Sequence, residues 1–223
     1  MESARSARFY ECYVELFGVL TMNAIKWKNA LYLLLIIATF VSIINWIVSE
    51  KEFTIKFVMD CIAKSVTVIT FISWIFCYKL WKFKFFRNWL VLIPDLNGFW
   101  IGTIESTWIN PQTNNKYPAI PATLIINQSL FKTSCLIKTN ESASLSITAD
   151  FVIDEDNQIC KLVYTYQNDS KRTLRDRSPI HYGTAYMDII ENNDKILLRG
   201  GYWTDRNSSG DLFFEPQIDE KNK

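Results

Sequence analysis

Residues Leu31 to Val48 read LYLLLIIATFVSIINWIV, a run of 18 positions without a charged side chain. A helix of that length rises about 27 Å, which is close to the thickness of the hydrocarbon core of a bilayer. Trp27 and Tyr32 near one end and Trp46 near the other are aromatic side chains typical of membrane–water interfaces. The stretch therefore predicts a transmembrane helix near the N-terminus that anchors the rest of the chain.

A second apolar segment runs from Cys61 to Trp81. Only 14 residues separate Lys64 from Lys79, and a charge-free run that short, taken alone, is typical of a buried or re-entrant helix. Both lysines lie near the ends, where their side chains can extend the ammonium group to the interface. We therefore expect a two-helix transmembrane region over residues 30–88, with residues 49–60 as the polar connection.

The flanks of this region predict its orientation. Lys26 and Lys28 precede the first helix and four basic residues follow the second, whereas fewer lie in the connection. An excess of basic residues on the outer flanks places both termini in the cytoplasm. Residues 1–29 carry apolar side chains at helical spacing, which predicts an amphipathic helix. This helix either lies on the membrane surface or packs against the anchor.

From Gly98 onward the spacing of apolar residues changes from helical to alternating. Alternating segments separated by turn-forming residues are typical of antiparallel β structure, and eight of them can close a small barrel with room for one small ligand. The pair Gly98 and Trp100 resembles the opening of lipocalin-type barrels, where the tryptophan plugs the closed end; plain core packing is the alternative. The strands are predicted near residues 98–108, 120–128, 131–140, 144–154, 158–167, 182–191, 195–204 and 210–215.

The predicted fold class is therefore an all-β soluble domain preceded by a transmembrane hairpin. The soluble domain is an eight-stranded antiparallel lipocalin-like barrel over residues 95–216, where we expect the ligand to bind. Residues 217–223 form a polar tail.

Composition argues against several classes of function. Residues Asp95 to Glu215 contain 11 Lys and Arg against 15 Asp and Glu, so the domain lacks the strongly basic face of a DNA- or RNA-binding protein. The 5 cysteines include no CxxC motif, and His181 is the single histidine. This pattern argues against a zinc site and a disulfide framework, and it favours a reducing compartment. No catalytic motif is visible, so we expect neither an enzyme nor a cofactor.

The motif GGYWTD, with Arg199 before it and Arg206 after it, is a candidate for binding an anion. Arginine is suited to a bidentate grip on phosphate. Tyr202 and Thr204 share one face of a regular strand. Trp108 lies at the far end of the first predicted strand, where a barrel mouth would be. Its ring can stack on a planar group there, or else cap the core.

The loop over residues 171–177 contains four basic residues. We predict that it covers the barrel mouth as a lid and that Arg172 and Arg175 contact the ligand. The alternative is a solvated charged surface, which is the usual role of a charge run in a loop.

Two apolar helices that lead into PDLNGFWIGTIESTW, followed by a β-rich domain that ends in LLRGGYWTDRNSSGDLFF, resemble a known family. These are the two-transmembrane, β-strand-rich effectors of bacterial cyclic-oligonucleotide-based antiphage signalling (CBASS). The resemblance covers nearly the whole chain and rests mainly on its architecture. It implies a cytoplasmic barrel that binds a cyclic dinucleotide made by a partner nucleotidyltransferase after infection. It further implies that the liganded chains oligomerise and that their helices disrupt the bacterial inner membrane and kill the cell.

On this hypothesis the partners are a cyclic dinucleotide, the lipid bilayer and further copies of the chain, with no DNA or RNA. Two phosphates and two planar bases call for arginine together with aromatic residues, so the candidate contacts are Trp108, Arg199, Tyr202, Thr204, Arg206, Arg172 and Arg175. The alternative function is a membrane-tethered lipocalin-like carrier or sensor of a small apolar ligand, which predicts a mouth without cationic groups. A third, an enzyme acting on lipid or nucleotide, has the least support.

Overall fold

The computed structural model describes residues 24–49, 54–109, 114–176, 178–192 and 195–217. They form two compact units, residues 24–94 and the residues from Asp95 onward. Most of the predicted N-terminal amphipathic helix and most of the polar tail lie outside the described residues, so both remain predictions.

The first unit is built on two apolar helices, α1 over Trp27–Ser49 and α2 over Ile55–Tyr78. By length and composition, both helices are long and apolar enough to cross a bilayer. Helix α2 begins after Thr54, whose hydroxyl caps it by accepting a hydrogen bond from the Phe57 amide at 3.3 Å. The connection predicted over residues 49–60 is therefore shorter than expected, because its second half forms the first turns of α2.

Polar side chains lie between the two helices and pair with one another. Asn45 is buried, its amide nitrogen lies 3.0 Å from the sulfur of Cys61, and its carbonyl oxygen accepts a hydrogen bond from Lys64 at 2.7 Å. Lys64 also forms an ion pair with Asp60 at 2.8 Å. Hydrogen bonds between helices are a means by which polar residues are accommodated in apolar segments.

The chain after α2 folds back onto the start of α1. The Lys26 amide donates to the Leu90 carbonyl, and the Leu92 amide donates to the Ala24 carbonyl, both at 2.9 Å. Trp81 and Val91 are buried in this small cluster. The segment from the end of α2 to Pro94, which leads into the β domain along the chain, therefore belongs to the helical unit.

The second unit is a closed barrel of eight antiparallel strands in which each strand pairs with its sequence neighbours and β1 pairs with β8. This confirms the predicted all-β barrel preceded by two apolar helices. A bulge interrupts β4 between Ser146 and Thr148. The strands are β1 Gly98–Ser106, β2 Ile120–Gln128, β3 Thr133–Lys138, β4 Ser142–Asp154, β5 Ile159–Ser170, β6 His181–Asn192, β7 Lys195–Thr204 and β8 Ser209–Pro216.

One end of the barrel is sealed where the chain enters it. Leu96 is fully buried, and its amide donates to the side-chain oxygen of Gln128 at 2.8 Å. The indole nitrogen of Trp100 donates to the Leu96 carbonyl at 3.0 Å, and the Trp100 side chain is buried. Gly98 lies between them at φ 132°, a conformation that glycine adopts without a steric penalty. Trp100 therefore packs in the core at the closed end.

Candidate functional site

The barrel is hollow at the end opposite Trp100. Because successive strands alternate in direction, the last residues of β1, β3, β5 and β7 meet the first residues of β2, β4, β6 and β8 at this end, which we call the mouth. A cavity of about 300 Å³ lies there. This volume is at the lower end of the range for small-molecule sites.

The cavity has an apolar wall, a set of aromatic rings and a polar rim. The apolar wall consists of Ile104, Ile137, Ala185 and Leu212. The aromatic rings belong to Trp108, Tyr117, Tyr164, Tyr166 and Tyr202. Hydroxyl groups come from Ser106, Ser144, Ser178, Thr204 and Ser208. The other polar side chains are those of Glu141, Asn168, His181 and Arg206.

Strand β5 supplies the row of side chains that runs down the cavity. Alternate residues of a strand face the same side, and here the inward residues change from apolar to polar toward the mouth: Leu162, Tyr164, Tyr166, Asn168 and Ser170. The rings of Tyr164 and Tyr166 lie 5.9 Å apart at 50°. Burial raises the pKa of both tyrosines, so both hydroxyls stay protonated and can donate hydrogen bonds at neutral pH.

Gly183 on β6 makes room for one of these rings. A Cβ atom at position 183 would lie 2.5 Å from the hydroxyl oxygen of Tyr166 and 2.7 Å from the carbonyl oxygen of Trp203. A side chain at this position would therefore displace the Tyr166 ring or the neighbouring strand.

Asn168 organises a hydrogen-bond network at the rim. Its side-chain nitrogen donates to the hydroxyls of Ser144 at 2.7 Å and Ser142 at 3.1 Å, and its oxygen accepts from Ser170 at 3.3 Å. The Ser170 hydroxyl also lies 3.0 Å from that of Ser178. Satisfied buried networks of this kind hold their members in one arrangement, so the rim on this side is preorganised.

Arg206 brings a guanidinium group to the same rim from the β7–β8 turn. It donates to the Ser178 hydroxyl at 3.1 Å and lies 3.4 Å from Nδ1 of His181. The same His181 nitrogen lies 3.0 Å from the Pro179 carbonyl, so its tautomer decides which of these two partners it bonds. The Arg206 side chain is exposed, which leaves its other N–H groups accessible from the mouth.

Trp108 and Tyr117 form an aromatic pair at the mouth, between β1 and β2. Their ring centroids lie 6.0 Å apart at 60°, and Trp108 is 44% exposed. Trp108 lies just beyond β1, which ends at Ser106, and its amide donates a hydrogen bond to the Ser106 hydroxyl at 3.1 Å. The pair offers an accessible aromatic surface rather than a cap on a filled core.

The structure brings four of the seven predicted contacts together. Trp108, Tyr202, Thr204 and Arg206 all line the cavity. Thr204 also braces the β7–β8 turn, since its hydroxyl lies 2.7 Å from that of Ser208.

The structure places the other three predicted contacts outside the cavity. Arg199 is on the outer face of β7, where its guanidinium lies 5.0 Å from the ring centroid of Phe213, because its parity on the strand is opposite to that of Tyr202 and Thr204. Arg172 and Arg175 are exposed, and Arg175 forms an ion pair with Asp169 at 2.8 Å. Ser178, just after the predicted lid loop, does line the cavity, whereas Arg177 lies outside the described residues.

Several cavity residues were not predicted from the sequence, namely Tyr117, Tyr164, Tyr166, Asn168, Ser178 and His181. For three of them a signal was present. The segment LVYTYQNDS alternates aromatic and polar residues on one face with Val163, Thr165 and Gln167 on the other. A face that carries tyrosine and asparagine in place of aliphatic residues indicates a strand that lines a cavity. Within the residues that the structure describes, no group of three His, Cys, Asp or Glu side chains could hold a metal ion.

Comparison with known proteins identifies the family. A family model described as Cap15, cyclic dinucleotide receptor domain, matches residues 91–215, which include all eight strands up to the last residues of β8. The chain belongs to the Cap15 family. The resemblance to CBASS effectors is thereby confirmed.

Two curated proteins share most of the chain's length with it. A CD-NTase-associated protein 15 from Staphylococcus schleiferi is 28% identical over 188 residues, covering 83% of this chain and 90% of that protein. A CD-NTase-associated protein 15 from Escherichia albertii is 30% identical over 174 residues, covering 76% of this chain and 84% of that protein. The similarity to both Cap15 proteins therefore extends beyond the barrel into the helical unit.

Proposed function

We propose that this Cap15 family member is a membrane-anchored effector whose barrel binds a cyclic dinucleotide in the cavity at the mouth. Binding causes the chains to oligomerise, and the assembled helices disrupt the bacterial inner membrane during phage infection, causing abortive cell death. In this proposal residues 95–216 are the ligand-binding domain and residues 30–88 are the membrane region. The barrel and the N-terminus lie in the cytoplasm, as the basic flanks of the helices indicate.

The observation that carries the proposal is the combination of groups at the mouth. Arg206 supplies a guanidinium for a phosphate, and the hydroxyls of Ser178 and Ser208 lie beside it on the cavity wall. Trp108 and Tyr117 offer an accessible aromatic surface on which a base can stack. A cyclic dinucleotide presents both features at once, whereas a small apolar ligand without a phosphate does not.

The alternative function, a carrier of a small apolar ligand, predicted a mouth without cationic groups. Arg206 lies on the rim, and polar side chains surround it. An apolar ligand bound at this rim would displace water from the polar side chains and offer them no hydrogen bonds in exchange, which is unfavourable. The rim therefore favours the nucleotide proposal over the carrier.

The binding step is tested with one arginine inside the site and one outside it. The full chain in detergent micelles is titrated with a panel of cyclic dinucleotides by calorimetry. We expect Arg206→Ala to weaken binding by about tenfold or more, since a charge-assisted hydrogen bond contributes about 1.5–3 kcal/mol. Arg199→Ala removes the same side chain from the outer face and should leave the affinity within about twofold. Equal affinity in wild type and Arg206→Ala would reject this site.

The membrane step needs a separate measurement. Lipid vesicles that contain the full chain and a trapped dye should release the dye when the bound cyclic dinucleotide is added, while the chain shifts to a larger species in detergent. Vesicles that contain Arg206→Ala should release little dye at the same ligand concentration. Binding without either dye release or a size change would separate the receptor from the proposed output.

A further inference from the structure

The mouth contains one permanently charged cation, whereas a cyclic dinucleotide carries two phosphates. Among the described residues that line the cavity, Arg206 is the only lysine or arginine. His181 lies beside it at the start of β6, and its side chain is half-buried in the cavity wall. Imidazole is the side chain whose charge ordinarily changes between about pH 5 and 8. The mouth therefore holds one positive charge or two, depending on whether His181 is protonated.

Nδ1 of His181 lies between two partners that make opposite demands on it. The Pro179 carbonyl, 3.0 Å away, can only accept a hydrogen bond, whereas the Arg206 guanidinium, 3.4 Å away, can only donate one. In the neutral ring Nδ1 satisfies one of these partners and not the other. In the protonated ring it donates to Pro179 and accepts nothing from Arg206. Protonation therefore releases the guanidinium for a ligand while it adds a second positive charge next to it.

An anion at the mouth favours the protonated ring. The two cations repel each other when the mouth is empty, which opposes protonation of His181. A phosphate beside them reverses this balance, because an opposite charge within hydrogen-bond distance stabilises the charged form. Phosphodiester groups stay ionised at neutral and mildly acidic pH, so the ligand keeps its charge where imidazole gains one.

We infer that His181 is a second phosphate-binding group at the mouth, and that it takes up a proton from solvent when the cyclic dinucleotide binds. This inference rests on the proposed function and adds to it a dependence on pH. Arg206 binds one phosphate, and the protonated ring, held by Pro179 through Nδ1, donates from Nε2 to a phosphate oxygen. Because the complex then holds more protons than the free chain, affinity rises as the pH falls.

The other ionisable groups around the ring come from three further elements. Glu141 lines the cavity from the β3–β4 turn, Asp205 precedes Arg206 in the β7–β8 turn, and Asp169 on β5 forms an ion pair with Arg175 at 2.8 Å. Carboxyl, phenol and guanidinium groups ordinarily titrate well outside the range from about pH 6 to 8. His181 is the single histidine of the chain, so a change of affinity within this range points to its ring. The phenols that line the cavity are those of Tyr117, Tyr164, Tyr166 and Tyr202.

The first test measures affinity at pH 6 and pH 8. The full chain in detergent micelles is titrated by calorimetry with cyclic di-AMP, cyclic di-UMP and cyclic di-GMP. The tightest of these ligands should bind wild type about fivefold more tightly at pH 6, because the charged ring makes a stronger hydrogen bond to phosphate than the neutral ring. His181→Gln stays neutral and should bind with the same affinity at both pH values. Arg199→Ala, which removes a cation from the outer face, should keep the wild-type ratio.

The single histidine also permits a direct measurement on the unchanged protein. The chain, produced without a histidine tag and isotope-labelled on histidine, gives one imidazole signal by nuclear magnetic resonance. The pH at which this signal lies halfway between its neutral and protonated positions should be higher with the ligand bound than without it. An equal or lower midpoint in the complex would overturn the inference.

The binding results can overturn it in two further ways. Equal affinity of wild type at pH 6 and pH 8 would reject the inference and leave the proposed function standing, since the ligand still binds. A pH dependence that persists in His181→Gln would assign it to another group. If wild type binds none of the three ligands at either pH, the proposed function fails and the inference fails with it. If His181→Gln does not fold, the midpoint measured on the unchanged protein decides.

Discussion

The closed end and the mouth of the barrel are made by the same strands with different inward side chains. Strand β1 places Trp100 at the closed end and Ser106 at the mouth. Strand β7 places the fully buried Leu198 farther from the mouth and Thr204 on the cavity rim. At the closed end large side chains fill the interior, and at the mouth small and hydroxyl-bearing side chains leave it open.

The comparison shows how a small barrel can have both a core and a site. An eight-stranded barrel is just wide enough for inward side chains to fill it, so a cavity requires small residues at some positions. Ala185 and Ser144 are two of them. The rim around Asn168 then gains its order from hydrogen bonds instead of close packing. Stability should therefore depend mainly on the closed end, and binding on the mouth.

The largest effect should come from Trp100→Ala. Removal of a buried tryptophan leaves a large void and typically lowers the free energy of unfolding by about 3–5 kcal/mol. This change also removes the hydrogen bond to the Leu96 carbonyl. Thermal and denaturant unfolding of the full chain in detergent would measure the loss.

Trp203→Ala is the matched control for that change. Trp203 lies on the outer face of β7 and is 51% exposed. The centroid of its ring lies 6.2 Å from that of the Tyr186 ring. Its replacement should lower the free energy of unfolding by only about 1 kcal/mol, near the average for point mutants. Similar losses at positions 100 and 203 would contradict the view that the closed end carries the stability.

A smaller effect is expected at the mouth from Asn168→Ala. The change removes the side-chain partner of the buried Ser144 hydroxyl and one of the partners of the Ser142 hydroxyl, which also lies 3.3 Å from that of Thr139. A buried polar group left unpaired costs about 1–3 kcal/mol. Asn127→Ala, at an exposed position of β2, should shift stability by less than about 0.5 kcal/mol. The same unfolding experiments measure both variants. A loss at position 168 as large as that at position 100 would remove the distinction between the two ends.

The sequence was sufficient to predict the two apolar helices and the positions of the eight strands along the chain, because both follow from periodicity. The 18 charge-free residues and the switch to alternation at Gly98 are local signals. The error at residues 55–60 has a local cause as well. Lys56 and Asp60 read as a polar connection, although Thr54 caps the helix before them and Lys64 pairs with Asp60 one turn later.

Prediction of the site was only partly possible, because it depends on which face of a strand turns inward. Tyr202 and Thr204 were placed on one face, and both line the cavity. Arg199 has the opposite parity on the same strand, yet its charge made it attractive as a phosphate contact. Tyr164 and His181 reach the cavity from β5 and β6 only after the barrel closes. The spacing of residues along the chain does not show that these two side chains line the same cavity.

The smallest effect concerns a carboxyl group next to the core. Asp150 precedes the buried Phe151 on β4, and burial raises the pKa of the Asp150 carboxyl above its ordinary value of 3.8, although the Phe151 amide donates to it at 2.8 Å. A carboxyl group whose pKa is higher in the folded state is less stable when ionised there than in the unfolded chain. It therefore lowers stability at pH values above its folded pKa, and this penalty disappears below about pH 3.8, where the group is protonated in both states.

Asp150→Asn should remove that penalty. We expect a higher melting temperature than wild type at pH 7 and a difference that shrinks to nothing as the pH falls below 3.8. Asp156→Asn, at an exposed position in the β4–β5 turn, is the control and should leave the melting temperature unchanged at both pH values. If Asp150→Asn were instead destabilising at pH 7, the hydrogen bond from the Phe151 amide would outweigh the loss of hydration. That result would show that the ionised Asp150 side chain stabilises the barrel wall.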